Sequence, residues 1–326
     1  MLYSDLMKPP YEITPTILSL LAEVMHHLGR LEGMALSAKT SPQLRRQNRI
    51  KTIYSTLAIE GNTLSLDQIT AFIDDKTVLG PQKDILEVSN AVKLYEQVHN
   101  FDCAQVKDFL EAHQILMTGL IADAGKFRRG GVGIQKGNDI VHIAPPAENV
   151  PALLNDLFSY VRSHEDHALI QSCVLHYELE FIHPFSDGNG RMGRLWQTLK
   201  LMELSPLFEY LPVESLIKSH QEQYYRVLKI CDQVGESTVF IEFMLKQILA
   251  SLKEYEAKAD MKAHDFDSRI NLAKESFHQR EFVRADYLKL FPSLSTASAS
   301  RDLKKALLAK LLEKRGSGRM SSYLFK

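Results

Sequence analysis

Apolar residues recur at spacings of three and four along most of the chain, the pattern of amphipathic helices. It predicts helices over Ile17 to Leu36, Pro42 to Ile59, Ser65 to Asp74, Lys83 to Val98 and Gln105 to Gly119. Asn100 to Asp102 separates two of these, and Ser65, Pro81 and Pro151 mark other starts or stops. Between Arg128 and Pro146 the texture changes. Gly130, Gly131, Gly133 and Gly137 surround short β-prone pieces ending in Asp139-Ile140-Val141-His142-Ile143, which predicts a small hairpin with its turn near Lys136 to Asn138. Helical spacing resumes over Val150 to Ser163, Ala168 to Phe181, Gly190 to Leu204, Ser215 to Val234 and Val239 to Ala259.

The charged, apolar-poor passage Lys253 to Asp267 reads as a linker or the frayed end of a helix. Beyond it, Ser268 to His278, Arg284 to Phe291 and Thr296 to Leu312 read as three helices. Gly316-Ser317-Gly318 then stands between short segments ending in Tyr323-Leu324-Phe325. Three helices and a glycine-tipped hairpin make a winged helix the expected fold of this part. From Ala299 onward, eight basic residues face two acidic ones, a local balance of +6. Such a patch suits nucleic-acid phosphates, and a winged helix serves protein docking equally well.

Composition narrows the picture. A chain of 326 residues is about twice a typical domain, and the 45% hydrophobic share is enough for substantial cores. Its 39 basic and 40 acidic residues leave a net charge of −1, so the chain as a whole asks for neither nucleic acid nor membrane. Cys103, Cys173 and Cys231 lie far apart without a C-x-x-C pair, which argues against a zinc ribbon or a disulfide framework. The N-terminus lacks a basic-then-apolar leader, and no stretch approaches the ~18 apolar residues of a membrane span. The expectation is a soluble, cytoplasmic protein.

The chemistry concentrates in His183-Pro184-Phe185-Ser186-Asp187-Gly188-Asn189-Gly190-Arg191-Met192-Gly193-Arg194. Glycines on either side of Asn189 let the backbone approach a ligand and turn successive N–H groups toward one point. A polyphosphate is the implied ligand. Asp187 is a hard oxygen donor suited to Mg²⁺, and Arg191 and Arg194, three apart on the following helix, present bidentate donors on one face. His183 is the natural proton acceptor, kept out of helical geometry by Pro184. His176 lies seven residues earlier, but with the helix interrupted and no third ligand evident it does not make a metal site.

This run resembles the Fic signature, H-x-F-x-(D/E)-G-N-G-R-x-x-R, at every specified position. The resemblance covers about Ile53 to Val234. It implies an all-α fold with a Fic-type helical core and a small β-hairpin flap, beside the C-terminal winged helix. It also implies transfer of AMP from ATP to a hydroxyl side chain of a target protein, and of the chain itself. A sister branch that phosphorylates carries Ala and Lys where this chain has Gly188 and Gly190, so the glycines favour AMP transfer. The resemblance makes His183 the base, gives the phosphates to Gly188, Asn189, Gly190, Arg191 and Arg194, and holds Mg²⁺ or Mn²⁺ through Asp187. Tyr224-Tyr225 resembles the tyrosine pair bordering the nucleotide. Adjacent residues face apart on a helix, so one of them, assigned to Tyr225, meets the base while the other joins the core. The hairpin resembles the target-binding flap, through Lys136, Gly137, Asn138, Asp139, Ile140, Val141 and His142; an exposed strand edge can align any extended peptide.

Far upstream, Thr56-Leu57-Ala58-Ile59-Glu60-Gly61 resembles the family's inhibitory motif, (S/T)-x-x-x-E-(G/N). There the glutamate reaches the second signature arginine, here Arg194, and keeps the γ-phosphate from its productive position. The expected organisation is an N-terminal helical region with the inhibitory helix (1–100), a catalytic domain (101–260) and a winged helix (265–326). Alternatives are removal of AMP through a water positioned by Glu60, transfer of another phosphate-containing group, or a nucleotide-sensing DNA-binding regulator. The expected partners are ATP, a protein substrate at the flap, and nucleic acid or protein at the winged helix, with homo-oligomerisation left open.

Overall fold

The computed structural model describes residues 8–37, 42–131, 133–136, 139–163, 165–264, 266–278, 280–291, 294–316 and 321–326. The chain divides into two units, one formed by residues up to Met25 with Arg46–Ser251, the other by His26–Arg45 with Leu252–Lys326.

In the first unit the helices follow the periodicity closely. They are α1 (Pro15–Ser37, shared with the second unit), α2 (Pro42–Ile59, whose first residues also belong there), α3 (Leu66–Ile73), α4 (Gln82–Glu96), α5 (Val106–Met117), α6 (Val150–Ser163), α7 (Ala168–Ile182) and α8 (Asn189–Leu204). Ser65 starts α3 with a full capping box: its hydroxyl accepts from Gln68 N at 3.2 Å, while the Gln68 side chain accepts from Ser65 N at 2.9 Å. Every residue of α7 from Leu169 to Tyr177 is buried, so this helix belongs to the interior on all sides. It packs along α8, whose Trp196 is fully buried 4.9 Å from the ring of Phe109 and donates its indole N–H to Cys103 O. The signature loop joins these two helices, so its ends are fixed by the most buried part of the unit.

The hairpin predicted over 128–146 is present as antiparallel strands β1 (Gly133–Lys136) and β2 (Asp139–Ile143), with an irregularity in register between Ile134 and Gln135. Its turn residues Gly137 and Asn138 lie outside the described residues. The single helix expected over Ser215 to Val234 is instead two, α9 (Val213–Ser219) and α10 (Gln221–Val234). The break has a local cause. His220 leaves helical geometry at φ −114° and ψ 29°, and Leu216 O there accepts from Ser219 Oγ at 2.9 Å and meets His220 Nδ1 at 3.0 Å in addition to the His220 backbone N–H.

The passage Lys253 to His264, expected as a linker or fraying end, is helical. It continues α11 (Thr238–His264). Leu252 and Tyr255 form an apolar edge at a spacing of three, and buried Glu256 accepts from His27 Nδ1 at 2.6 Å and pairs with Arg30 at 2.7 Å. In the second unit, α12 (Phe266–Phe277), α13 (Arg284–Leu290) and α14 (Thr296–Leu308) pack against a three-stranded antiparallel sheet of order β3-β5-β4. The strands are β3 (Phe282–Val283), β4 (Leu312–Arg315) and β5 (Ser322–Phe325). The third predicted helix therefore ends at Leu308, and Leu312 opens a strand. Ile270, Phe277, Phe282, Tyr287, Leu303 and Phe325 share one core. Ser317 and Gly318, read as the hairpin tip, lie outside the described residues.

Candidate active site

The loop grows out of the C-terminal end of α7. His183 caps that helix in the left-handed region, φ 49° and ψ 60°, and donates its backbone N–H to Leu179 O at 3.1 Å. A non-glycine residue there is uncommon and persists only when its surroundings hold it. Arg128 does the holding. Buried, it donates Nε to His183 O at 2.7 Å, Nη1 to Gly130 O at 2.8 Å, and Nη2 to Ile182 O and Pro145 O. A cation at the carbonyl end of a helix also matches the helix dipole. The His183 ring is oriented by its Nδ1, 3.3 Å from Glu180 O. A carbonyl only accepts, so Nδ1 carries the proton and Nε2 keeps the lone pair of a base.

Phe185 anchors the loop from beneath, fully buried and stacked on the His113 ring at 3.5 Å and 3°. His113 is itself fixed at both nitrogens. Nδ1 accepts from Gly125 N at 2.9 Å, so Nε2 is the donor to Asp187 O at 3.0 Å. Burial pushes its pKa down to about 4, keeping the ring neutral. Asn189 closes the loop: its Oδ1 accepts from Phe185 N at 2.9 Å and its Nδ2 donates to Phe185 O at 3.0 Å. The Asn189 amide, expected to face a ligand, is committed to the loop itself. What the loop offers an anion is its backbone, since the N–H groups of the first turn of α8 have no intrahelical acceptor. Gly188 has φ 87° and stands so close to Met117 that a Cβ would lie 2.9 Å from its Sδ.

The two signature arginines are both buried and differ in their partners. Arg191 pairs with Asp187 Oδ1 at 3.1 Å and approaches Glu87 Oε1 at 3.6 Å, and its buried Nε and Nη1 have no hydrogen-bond partner among the described residues. Two unsatisfied guanidinium nitrogens at 4% exposure are costly unless an anion meets them. Arg194 is engaged through Nε and Nη2. Its Nε donates to Thr56 Oγ1 at 2.9 Å, and its Nη2 donates to Thr56 O at 3.1 Å and Glu60 Oε1 at 2.7 Å. Glu60 follows the end of α2, where Gly61 at φ 91° turns the chain away. Burial alone would lower the Arg194 pKa; the charges of Glu60, Tyr224 and Glu180 raise it above its ordinary value.

Glu180 is the acid that the sequence did not single out. Burial would raise its carboxyl, but His176 and the charge of Arg194 hold it down at about 2. Tyr224 donates to its Oε1 at 3.1 Å and also meets His176 Nε2 at 3.1 Å, while His176 Nδ1 meets Gln197 Oε1 at 2.7 Å. Tyr224 is thus the core member of the tyrosine pair. Tyr225 is half-buried, its pKa raised by burial and then by the charge of Glu60. The hairpin strands β1 and β2 carry Lys136, Asp139, Ile140, Val141 and His142, with β2 beside α10.

Asp187 exposes about half its side chain at 49%, and among the described residues no group of three His, Cys, Asp or Glu is arranged to hold a metal. A single carboxylate is the donor set that suits Mg²⁺ shared with nucleotide phosphates, not an all-protein cage.

Residues 103–201, which contain α5 to most of α8, match the Fic/DOC family. The chain is 29% identical over 246 residues to a protein adenylyltransferase Fic of Aedes aegypti, covering 68% of this chain and 47% of the relative. It is 29% identical over 226 residues to the adenylyltransferase fic-1 of Caenorhabditis briggsae, covering 65% of this chain and 42% of that one. The chain thus spans under half the length of these curated relatives. Its fold is shared with a fragment of Fic-1 from C. elegans, at 21% identity and a TM-score of 0.60 over 76% of this chain and 72% of the fragment. A crystal structure of a Fic family protein from Desulfovibrio desulfuricans G20 superposes with a TM-score of 0.77 at 40% identity, covering 98% of each chain. Similarity of that extent, end to end and through the loop just described, makes this chain a member of the Fic family.

Proposed function

We propose that the protein is an adenylyltransferase that moves AMP from ATP onto a hydroxyl side chain of a target protein, and that Glu60 restrains it. The observation that carries the reading is the contrast between the two arginines: Arg191 keeps buried donors without hydrogen-bond partners, while Arg194 is held by Glu60 at 2.7 Å. Both stand beside carboxylates, but Arg191 keeps hydrogen-bonding capacity beyond its pairs with Asp187 and Glu87, while Arg194 is tied to Glu60 and Thr56. The names of the curated relatives support AMP transfer as the family-level chemistry.

In this reading the target hydroxyl oxygen bonds to the α-phosphorus of ATP, the bond from that phosphorus to the bridging oxygen of pyrophosphate breaks, and the hydroxyl proton passes to His183 Nε2. His183 suits the role because Glu180 O fixes the proton on its other nitrogen. The backbone N–H groups of Asn189 and Gly190, the dipole of α8, and Arg191 stabilise charge growing on the leaving group, while Gly188, its own N–H given to Asp187 Oδ1 at 2.6 Å, shapes the turn that presents them. Asp187 would hold Mg²⁺ or Mn²⁺, which when bound neutralises phosphate charge. Tyr225 borders the base, and the β1–β2 edge aligns the target segment. Residues 1–100 supply the restraint, 101–260 the catalytic domain and 265–326 a winged-helix module. No helix among the described residues is long and apolar enough to cross a membrane, and all three cysteines are free and buried, which supports a reducing cytoplasm.

Glu60 restrains by competition. It takes the guanidinium a γ-phosphate would need and repels the phosphate charge. Mass spectrometry of the Glu60→Gly protein after incubation with Mg²⁺ and ATP tests the reaction class. A gain of AMP mass is expected; a gain of phosphate mass, or no covalent change with any added protein, contradicts AMP transfer.

A further inference from the structure

The last 61 residues carry a charge unlike the rest of the molecule. Residues 266–326 contain thirteen basic and six acidic side chains, a net +7 in a chain whose total is −1. Where those charges stand matters more than their number. On α14, Ala299, Asp302, Leu303 and Ala306 turn into the core, and Asp302, the helix's single acid, is bound there by Arg269 Nε at 2.7 Å, Arg269 Nη2 at 2.9 Å and Tyr287 OH at 3.2 Å. The opposite face holds Thr296, Ser300, Arg301 and Lys304. At 100° per residue these four fall within one stripe, with Arg301 about 100° and Lys304 about 160° around the helix from the buried Asp302.

Two neighbours extend this stripe. Arg284, at the start of α13, is exposed and donates Nη1 to Ser300 Oγ at 3.0 Å, which brings a third cation to the face. Lys314 is exposed on β4, the strand that follows α14 and pairs with β5 as a hairpin. A short helix, a turn and a second helix with small hydroxyl and cationic residues over its first three turns, followed by a basic hairpin, is the form that enters a major groove and grips the flanking backbone. The face lacks aromatic or large apolar anchors on those turns, the groups on which protein docking depends. The unit's exposed leucines, Leu308 at 75% and Leu311 at 39%, come only at the end of the helix.

We infer that the α14 face binds double-stranded DNA, with Arg301, Lys304, Arg284 and Lys314 on phosphates and the Thr296–Ser300 edge toward the bases. The inference does not depend on the nucleotide chemistry of the other unit. Its test uses the full-length protein and a fluorescently labelled random-sequence duplex of about three helical turns, followed by anisotropy. Four phosphate contacts predict a slope of log K against log salt near −3.6, a loss of about a hundredfold between 50 and 200 mM salt. The Arg301→Ala/Lys304→Ala protein should bind about tenfold or more weakly with a slope reduced by about two, at unchanged melting temperature, because both side chains are exposed. Wild-type protein that does not bind duplex at 50 mM salt overturns the inference and leaves Leu308 and Leu311 as a protein-docking end. So does salt-insensitive binding, or a double variant that binds like the wild type.

Discussion

Gly190 and Glu60 lie so close that a Cβ atom at position 190 would stand 2.4 Å from Oε1 of the glutamate. The same atom would be 3.0 Å from Nη1 of Arg194 and 3.3 Å from Oε1 of Glu180. The glycine at this point of the signature therefore makes room for the pair that connects α2 to α8, in addition to any approach of a nucleotide.

That geometry gives a substitution with a background-dependent sign. In Gly190→Ala the methyl group displaces the flexible end of Glu60 and weakens a partly buried ion pair, a loss of about 1–3 kcal/mol. In the Glu60→Gly background no carboxylate is present, and the same change should be neutral or stabilising by up to about 1 kcal/mol through helix propensity. Denaturant unfolding of the four proteins of this cycle measures the coupling. Additive effects would show that Gly190 and Glu60 do not interact.

His113 predicts a pH effect. Its pKa is lowered from 6.5 to about 4 by burial, so the unfolded chain binds more protons between those values. Stability from this group is full above about pH 6.5 and is lost as pH falls toward 4, with a limit of about 3 kcal/mol. Glu178 and Glu214, raised to about 7 by burial, act in the opposite direction over an overlapping range. The comparison of wild type with His113→Gln therefore isolates the effect: the variant should lose less stability between pH 6.5 and 4.5. Parallel curves would remove His113 as a cause.

Much of the site was legible because its chemistry is contiguous. His183, Asp187, the glycines and both arginines fall in one run, and the α8 start at Asn189 differs from the expected Gly190 by one residue. The Thr56–Glu60 segment and its meeting with Arg194 came through likeness to a motif, while the two bonds from Arg194 to Thr56 needed the fold. Arg128, His113 and Glu180 could not be found in the same way. Each acts across a distance of 55 or more residues or from inside an apolar helix, and none has a local pattern that separates it from an ordinary surface or core residue. Strand β3 was missed because two residues are too few to show a period, and the last turn of α11 because the polar run after Ala259 offers too few apolar residues to show one.

Arg128 offers a test of loop support. Lysine at that position keeps the charge but cannot reach carbonyls in four directions, leaving buried acceptors bare. Arg128→Lys should cost about 3 kcal/mol of stability and lower the rate of AMP transfer more than the affinity for ATP, because it loosens His183 and not the phosphate donors. Calorimetric titration with ATP beside single-turnover labelling separates the two. A variant with wild-type stability and rate would mean that the His183 conformation is held by other contacts.

His183→Ala should abolish transfer while leaving ATP binding largely intact, since a base acts on the attacking hydroxyl and not on the bound nucleotide. The expected loss from removing a general base is about 10²- to 10⁴-fold in rate. Equal loss of ATP affinity would point to a binding role in place of proton transfer.

The central claim is that Glu60 withholds Arg194 from the nucleotide. Incorporation of label from α-labelled ATP into protein, compared for wild type, Glu60→Gly and Glu60→Gly/Arg194→Ala at saturating Mg²⁺ and ATP, tests it most directly. The account predicts more label in Glu60→Gly than in the wild type and none in the double variant, because the released arginine is then needed for the γ-phosphate. Label in Glu60→Gly equal to the wild type, or label that survives loss of Arg194, would contradict it and reduce the 2.7 Å contact to a structural tie between α2 and α8.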